Sequence, residues 1–312
     1  MRFKRKQFQI KTNTHTVYES YSEHIKPSAP MIVFVHGGPG MSVSHLVDKI
    51  FPGFEQSYKM IIWDQLGSGL SYTPNIKSED LSIKNTIEDL KELLNVLGKN
   101  NPRRKIILLG HSYGGLLGLY AIQEKSIQTN VSHFIALHPW IETNEDKEKE
   151  VILKRVEEIA KTHQKVHENK REIIAEYLKT GYWIDQYLAP YGYDSHSKYT
   201  DWDYQVSLVK NSPVYTEKEK EQYEKGMVLS ESLYEDVIKN YNPTKDITHI
   251  PVTTTFVSAQ YDLITPTELL NDFLSKISGN YSHIHLPETN HYSFLDKPDS
   301  IKKIILNIDI EK

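Results

Sequence analysis

Residues 105–122, KIILLGHSYGGLLGLYAI, are the most informative part of the sequence. The first five of them have the composition of a buried strand, and the residues after Gly114 have that of a helix. Between them lies GHSYG at 110–114, a G-x-S-x-G pattern at a predicted strand-to-helix turn. A serine on such a sharp turn projects its hydroxyl above the sheet edge, where a histidine can reach it. The context therefore predicts Ser112 as a nucleophile.

A serine nucleophile needs a histidine base and an acid that orients it, and in this architecture the acid precedes the histidine in the chain. The β-branched segment 252–258 is predicted as a strand, and Asp262 lies just past its end. His291 follows the next predicted strand, 282–286. Taken singly, Asp262 could be a turn former and His291 a surface or N-cap residue. The ordered set, each member after a strand, favours a catalytic triad with Ser112.

A further motif, HGGPG at residues 36–40, directly follows an apolar segment. Acyl transfer develops negative charge on a carbonyl oxygen, which preorganised donors stabilise. We expect the N–H groups of Gly38 and Tyr113 to form this oxyanion hole. We also expect His36 and Gly37 to contact the substrate. A plain Gly/Pro turn at a strand end is the alternative explanation of the motif.

Together these motifs resemble the proline iminopeptidase branch of the α/β-hydrolase fold, a family of serine peptidases. HGGPG, DQLGSGLS at 64–71 and GHSYGG at 110–115 carry the resemblance, which covers nearly the whole chain in order. That family usually has Arg where this chain has Leu66, and Trp where it has Tyr113. Related branches include esterases, lactone hydrolases and carbon–carbon bond hydrolases. Ser112 argues against haloalkane and epoxide hydrolases, which use an Asp nucleophile.

The resemblance implies an α/β-hydrolase fold, with a mostly parallel central sheet flanked by helices and an inserted helical cap. The sequence pattern itself alternates between predicted strands and helices. Strands are predicted near 5–19, 31–35, 59–63, 105–109, 132–137, 252–258 and 282–286, and helices near 81–97, 114–125, 266–277 and 298–307. The connection over residues 138–251 is far longer than ordinary β–α–β connections. We therefore predict core residues 1–140, a cap at 141–245 and a second core part at 246–312.

The composition of the chain limits the kinds of metal site and binding partner that we expect. The chain has no cysteine, which excludes thiolate metal sites and fits a reducing, cytoplasmic compartment. His163 and His167 have the spacing of zinc hydrolases, but Gln164 replaces their glutamate, so a solvated helix face is preferred. A net charge of −4 gives no reason to expect nucleic acid, and the basic start lacks the apolar run of a signal peptide. We predict a small-molecule or short-peptide substrate, with no cofactor, metal ion or membrane, and the oligomeric state stays open.

The predicted cap is rich in Tyr and lacks Phe. This composition suits a partly solvated lid over a cleft, but the Tyr rings could equally form the small core of a solvated helical domain. An aminopeptidase must bind a free N-terminal ammonium, which requires an acidic partner. The resemblance implies that cap carboxylates do this, often from a Trp-Glu pair. Here the nearest match is Trp202-Asp203, and Glu231 is a second candidate by position. Each acid could instead be an exposed surface charge.

Three functional hypotheses follow. The first is a serine exopeptidase that forms an acyl-enzyme and releases an N-terminal residue, proline by resemblance, from short peptides. The second is an intracellular esterase or amidase acting on a small acyl compound, with no amine requirement. The third is a hydrolase-fold sensor or binding protein with slow or absent turnover. A free-amine requirement separates the first two, and multiple turnover separates both from the third.

Overall fold

A computed structural model describes residues 2–11, 13–181, 183–193 and 197–308, without the side chain of Glu231. The described residues form one eight-stranded sheet in the order β1-β2-β4-β3-β5-β6-β7-β8. The strands are β1 (Phe3–Ile10), β2 (Asn13–Ser20), β3 (Met31–Val35), β4 (Lys59–Asp64), β5 (Ile106–His111), β6 (Val131–Leu137), β7 (His249–Ala259) and β8 (Ser278–Leu286). Strands β3 to β8 pair in parallel, and β1 and β2 are antiparallel to their neighbours. The predicted mostly parallel sheet is confirmed.

Helices cover both faces of this sheet. They are α1 (Ile83–Asn100), α2 (Tyr113–Ala121), α3 (Lys125–Gln128), α4 (Glu145–Thr162), α5 (Gln164–Thr180), α6 (Asp185–Leu188), α7 (Trp202–Lys210), α8 (Glu217–Leu229), α9 (Glu231–Asn240), α10 (Pro243–Asp246), α11 (Thr267–Leu274), α12 (Ser293–Asp296) and α13 (Pro298–Leu306). All of β3 is buried, because its alternate side chains enter two different apolar clusters: Val33 and Val35 enter one, Ile32 and Phe34 the other. Among the described residues, no helix combines the length and apolar character that a membrane crossing requires.

The start of the chain differs from the sequence-based prediction. A single strand over 5–19 is wrong, because β1 and β2 form an antiparallel hairpin in which Phe3 pairs with Ser20. Lys11, at φ +54°, adopts the left-handed conformation where the chain reverses. Lysine is not a residue that indicates such a turn, so the sequence pattern predicts one continuous strand instead of two.

Helices α4 to α10 lie in the long connection between β6 and β7, and its two halves are anchored differently. Helices α4 to α6 pack mainly on one another, and Leu263, after β7, is the core residue in their apolar cluster. By contrast, Tyr215 and Tyr223 share an apolar cluster with the sheet. Tyr215 hydrogen-bonds Ser44, which also donates to the buried carboxyl of Asp64. The division at residues 141 and 245 into core and cap remains a prediction.

Candidate active site

Parallel register brings four strand ends to one edge of the sheet. His111, Leu137 and Val257 lie side by side on β5, β6 and β7, and Ala259 pairs with Leu286 of β8. The residues that follow these strands therefore meet. They are Ser112 after β5, His138 after β6, Asp262 after β7 and His291 after β8.

Ser112 occupies a strained turn between β5 and α2. Its backbone has φ +55° and ψ −118°, which is unusual for a residue with a side chain. The turn closes because two glycines flank it: a Cβ on Gly110 would lie 2.2 Å from the carbonyl oxygen of Gly114. The Ser112 N–H donates to Leu137 O at 3.0 Å. The serine thus lies on the sharp strand-to-helix turn where the sequence predicts a nucleophile, and its role stays a prediction.

Asp262 and His291 form a buried pair. The Nδ1 of His291 lies 2.9 Å from Oδ2 of Asp262. The backbone N–H groups of Ile264 and Thr265 donate to Oδ1 at 2.9 and 2.8 Å, and the Thr265 hydroxyl donates to Oδ2 at 2.9 Å. Burial alone would raise the pKa of Asp262, but His291, His138 and the Thr265 N–H hold it at about 2. Asp262 is therefore an anion at neutral pH, suited to orienting an imidazole.

Ser112 and His291 line the same cavity. Within the described residues, Ser112 Oγ makes no hydrogen bond to the His291 ring. Such bonds are often long in unliganded hydrolases and tighten when substrate binds. The structure thus brings the three predicted residues to one place, and proton transfer from Ser112 to His291 stays a prediction.

The predicted oxyanion donors border the nucleophile. Tyr113 is the first residue of α2, so its N–H has no acceptor within the helix. Gly37 approaches so closely that a Cβ there would lie 2.9 Å from the Cβ of Ser112. Gly37 and Gly38 both line the cavity. The Tyr113 side chain is buried in the hydrophobic core and does not line the cavity. The difference between this Tyr and the Trp usual in the family therefore lies away from the cavity.

His36 lies beneath the loop that borders the cavity. It is fully buried and is absent from the described cavity lining. Its Nδ1 donates to Gly37 O at 2.8 Å, and its Nε2 accepts from the Gln65 N–H at 3.3 Å. Burial lowers the pKa of His36 to about 4, so the ring is neutral. These bonds hold His36 against the loop that contains Gly37 and Gly38, and a contact between His36 and substrate stays a prediction.

The cavity has a volume of about 170 Å³ and contains an acid that sequence analysis missed. Glu148, in the first turns of α4, accepts a hydrogen bond from Trp140 Nε1 at 2.7 Å. The Trp140 ring stacks on Tyr234, and its backbone N–H donates to Ser112 O at 3.1 Å. Burial raises the pKa of Glu148 to about 8, against the effect of the Trp140 bond. Trp140 therefore links the Glu148 carboxyl to the backbone of the predicted nucleophile.

The acids predicted from the family pattern lie elsewhere. Trp202 and Asp203 begin α7, are exposed, and line a separate surface depression rather than the Ser112 cavity. The helix starts there because the Asp201 side chain accepts from the Tyr204 N–H, and an acid in a first turn is favoured by the helix dipole. The side chain of Glu231 lies outside the part of the chain that the structure describes.

Leu66 also has a clear environment. It is buried with Ile76, Leu81 and Leu233, the last from α9. The position where the family usually carries Arg is thus an apolar contact between a core loop and the long connection.

Over the described ranges, no group of three or more His, Cys, Asp or Glu side chains is placed to hold a metal ion.

Comparisons with known proteins agree with this fold. A family model described as alpha/beta hydrolase fold matches residues 30–298. The probable aminopeptidase YbaC of Bacillus subtilis is 22% identical over 283 residues, or 85% of this chain and 81% of that protein. A proline iminopeptidase of Saccharolobus solfataricus is 37% identical over 100 residues, or 32% of this chain and 31% of that protein. The crystal structure of a Mycobacterium smegmatis proline iminopeptidase has a TM-score of 0.66 at 14% identity, covering 97% of this chain and 96% of that one, which shows a common fold.

Proposed function

Because this chain belongs to the α/β-hydrolase fold family, we propose that it is a serine hydrolase that works through an acyl-enzyme. The observation that carries this proposal is the His291–Asp262 pair, joined at 2.9 Å, beside a strained serine on the same cavity. More specifically, we propose an aminopeptidase that releases an N-terminal residue from short peptides, resembling the proline iminopeptidases.

The proposed reaction uses these groups in sequence. His291 Nε2 takes the proton of Ser112 as Oγ attacks the substrate carbonyl, and Asp262 stabilises the imidazolium. The N–H groups of Gly38 and Tyr113 hold the oxyanion. The imidazolium then protonates the leaving amine, and the acyl group remains as an ester on Ser112. A water molecule, deprotonated by His291, cleaves this ester.

Glu148 supports the aminopeptidase hypothesis. It supplies a carboxyl to the cavity that Ser112 lines, whereas Asp203 does not. A substrate ammonium beside this half-buried carboxyl would replace lost hydration with a charge-assisted hydrogen bond. The cavity is also small: engineered apolar cavities of about 150 Å³ bind benzene. A volume of about 170 Å³ therefore suits one small residue rather than a long chain.

An esterase or amidase without an amine requirement is the second candidate. The observation that favours it is the pKa of Glu148, about 8, which leaves that carboxyl neutral at pH 7 in the free enzyme. A neutral acid among Trp140, Tyr177 and Tyr234 also suits an uncharged acyl group.

Steady-state hydrolysis of a paired panel tests both candidates. The panel holds Pro-, Ala- and Leu-anilides with free amines, their N-acetylated twins, and short-chain nitrophenyl esters. Cleavage of a free-amine anilide that acetylation abolishes would support the aminopeptidase. Ester cleavage alone would replace it with the esterase. Fewer than one turnover per enzyme on every compound would favour a sensor or binding protein.

A further inference from the structure

A second histidine stands beside the acid of the site. His138 follows β6, is 1% exposed and has φ +48°, a backbone conformation that few residues with side chains adopt. Its N–H donates to Val257 O at 2.8 Å, and its carbonyl oxygen lies 3.2 Å from the hydroxyl oxygen of Thr265, which donates its proton to Asp262. A strained, buried backbone held at its N–H places the ring reproducibly.

The two nitrogens of His138 face different partners. Its Nε2 lies 2.6 Å from the hydroxyl oxygen of the fully buried Ser293. Its Nδ1 is buried without a hydrogen-bond partner, and Oδ2 of Asp262 lies 3.8 Å away. That oxygen is also the acceptor for His291 Nδ1. A buried polar atom without a partner is rare and requires an explanation.

The neighbouring carboxylate selects the tautomer of His138. A lone pair on Nδ1 would point at an anion, whereas an N–H there is attracted to it. With the proton on Nδ1, Nε2 must accept, so Ser293 donates its hydroxyl proton. The buried array Ser293, His138, Asp262 therefore parallels Ser112, His291, Asp262 and converges on the same carboxylate. Ser293 is closed to solvent, so this second array has no access to substrate.

We propose that His138 is a positioning residue for the reaction at Ser112: Ser293 holds its ring so that the Nδ1–H faces Asp262 and restrains the carboxylate against His291. This inference rests on the proposed function. The Nδ1–H dipole shares the negative charge of Asp262 with His291. Removing it leaves more of that charge to stabilise the positive charge that the His291 ring carries during the reaction.

The surroundings of His138 keep it neutral. The rings of His291 and His111 lie 6.0 and 6.2 Å away, and His285 and Asp262 also act on it electrostatically. Burial is the main reason that the pKa of His138 falls to about 3, with His291 and His285 acting in the same direction and Asp262 opposing. Its influence on Asp262 is thus that of a dipole rather than of a cation.

The decisive measurement is the acidic limb of the kcat/KM–pH profile for three variants and one control. His138→Leu removes the donor, and we expect kcat/KM to fall about tenfold and the limb to move up by about half a pH unit. His138→Asn keeps an N–H near the Nδ1 position and should restore the wild-type limb. Ser293→Ala removes the group that holds the ring and should shift the limb in the same direction as His138→Leu. The control, His133→Leu, removes a buried histidine on β6 that bonds Thr255 instead, and should leave the limb in place.

An unshifted limb in His138→Leu, or an equal shift in His138→Asn, would overturn the proposal. If His138→Leu does not fold, Ser293→Ala decides the matter by the same criterion. NMR titration of the His291 ring in a Ser112→Ala background measures the shift without turnover. Failure of the proposed function would appear separately, as activity that survives Ser112→Ala.

Discussion

The carboxyl edge of the sheet and the long helical connection both contribute acids near the cavity, but they hold them in opposite ways. Asp262 follows a strand and receives four hydrogen bonds, from two backbone N–H groups, a hydroxyl and an imidazole. Glu148 lies on a helix and, among the described residues, accepts one side-chain hydrogen bond, from Trp140. Their pKa values accordingly separate to about 2 and about 8. Two carboxyls with such different environments are suited to two different roles: a permanent anion for chemistry and a responsive acid for recognition.

The largest expected effect tests the sheet edge. Ser112→Ala removes the proposed nucleophile, and we expect kcat to fall by about 10³-fold or more, since triad members act as a unit. The variant should keep the wild-type circular dichroism spectrum and melting temperature. Near-normal turnover by a correctly folded Ser112→Ala protein would contradict the proposed serine nucleophile at this edge of the sheet.

The next effect tests the helical connection alone. Glu148→Gln keeps the shape of the side chain but removes its charge, so free-amine substrates should lose about 30- to 100-fold in kcat/KM. N-acetylated substrates and esters should change less than about threefold, because they carry no ammonium. Asp203→Asn, an exposed acid outside the cavity, is the matched control and should behave as wild type. Equal losses on free and acetylated substrates would show that Glu148 is structural.

A third prediction concerns the number of protons released when a ligand binds. In the free enzyme at pH 7 Glu148 is mostly protonated, because its pKa is about 8. Binding of an ammonium favours the carboxylate, so up to about one proton should be released per ligand bound. Calorimetry in buffers of different ionisation enthalpy measures this number, with Ser112→Ala preventing turnover. No release from Glu148→Gln is the control, and no release from the Ser112→Ala protein would contradict the assignment.

The smallest effect is on stability. Because burial raises the pKa of Glu148 from 4.5 to about 8, the folded state binds the proton more tightly than the unfolded state. Its contribution to stability is complete below about pH 4.5 and is lost as pH rises to about 8. Glu148→Gln avoids this loss, and we expect its free energy of unfolding at pH 9 to exceed that of wild type by about 1–2 kcal/mol. Urea denaturation at pH 4.5 and pH 9 measures the difference, which should be confined to the higher pH.

The same contrast explains what sequence could predict. Ser112, Asp262 and His291 could be placed together because parallel strands fix where their loops meet. Glu148 could not be found, since the face of α4 that meets the cavity depends on tertiary packing. Asp203 matched a family pattern, yet the cap at Asp201 leaves it on an exposed first turn. The hairpin of β1 and β2 was missed because its turn uses Lys11 in a left-handed conformation.

The unequal anchoring of the long connection bears on how substrate reaches the nucleophile. Tyr215 is hydrogen-bonded through Ser44 to the buried Asp64, and Tyr223 donates to Ser42 O at 2.7 Å. Releasing this half would expose buried polar groups without partners, so we expect it to exchange its amide hydrogens only with the sheet. Helices α4 and α5 have their own small apolar cluster, and we expect them to be the half that moves, once the bonds from Lys147 to Asp272 and from Arg155 to the Gln260 carbonyl break. Turnover would then be gated by the helix that carries Glu148, so that one movement both admits the substrate and delivers the group that recognises it.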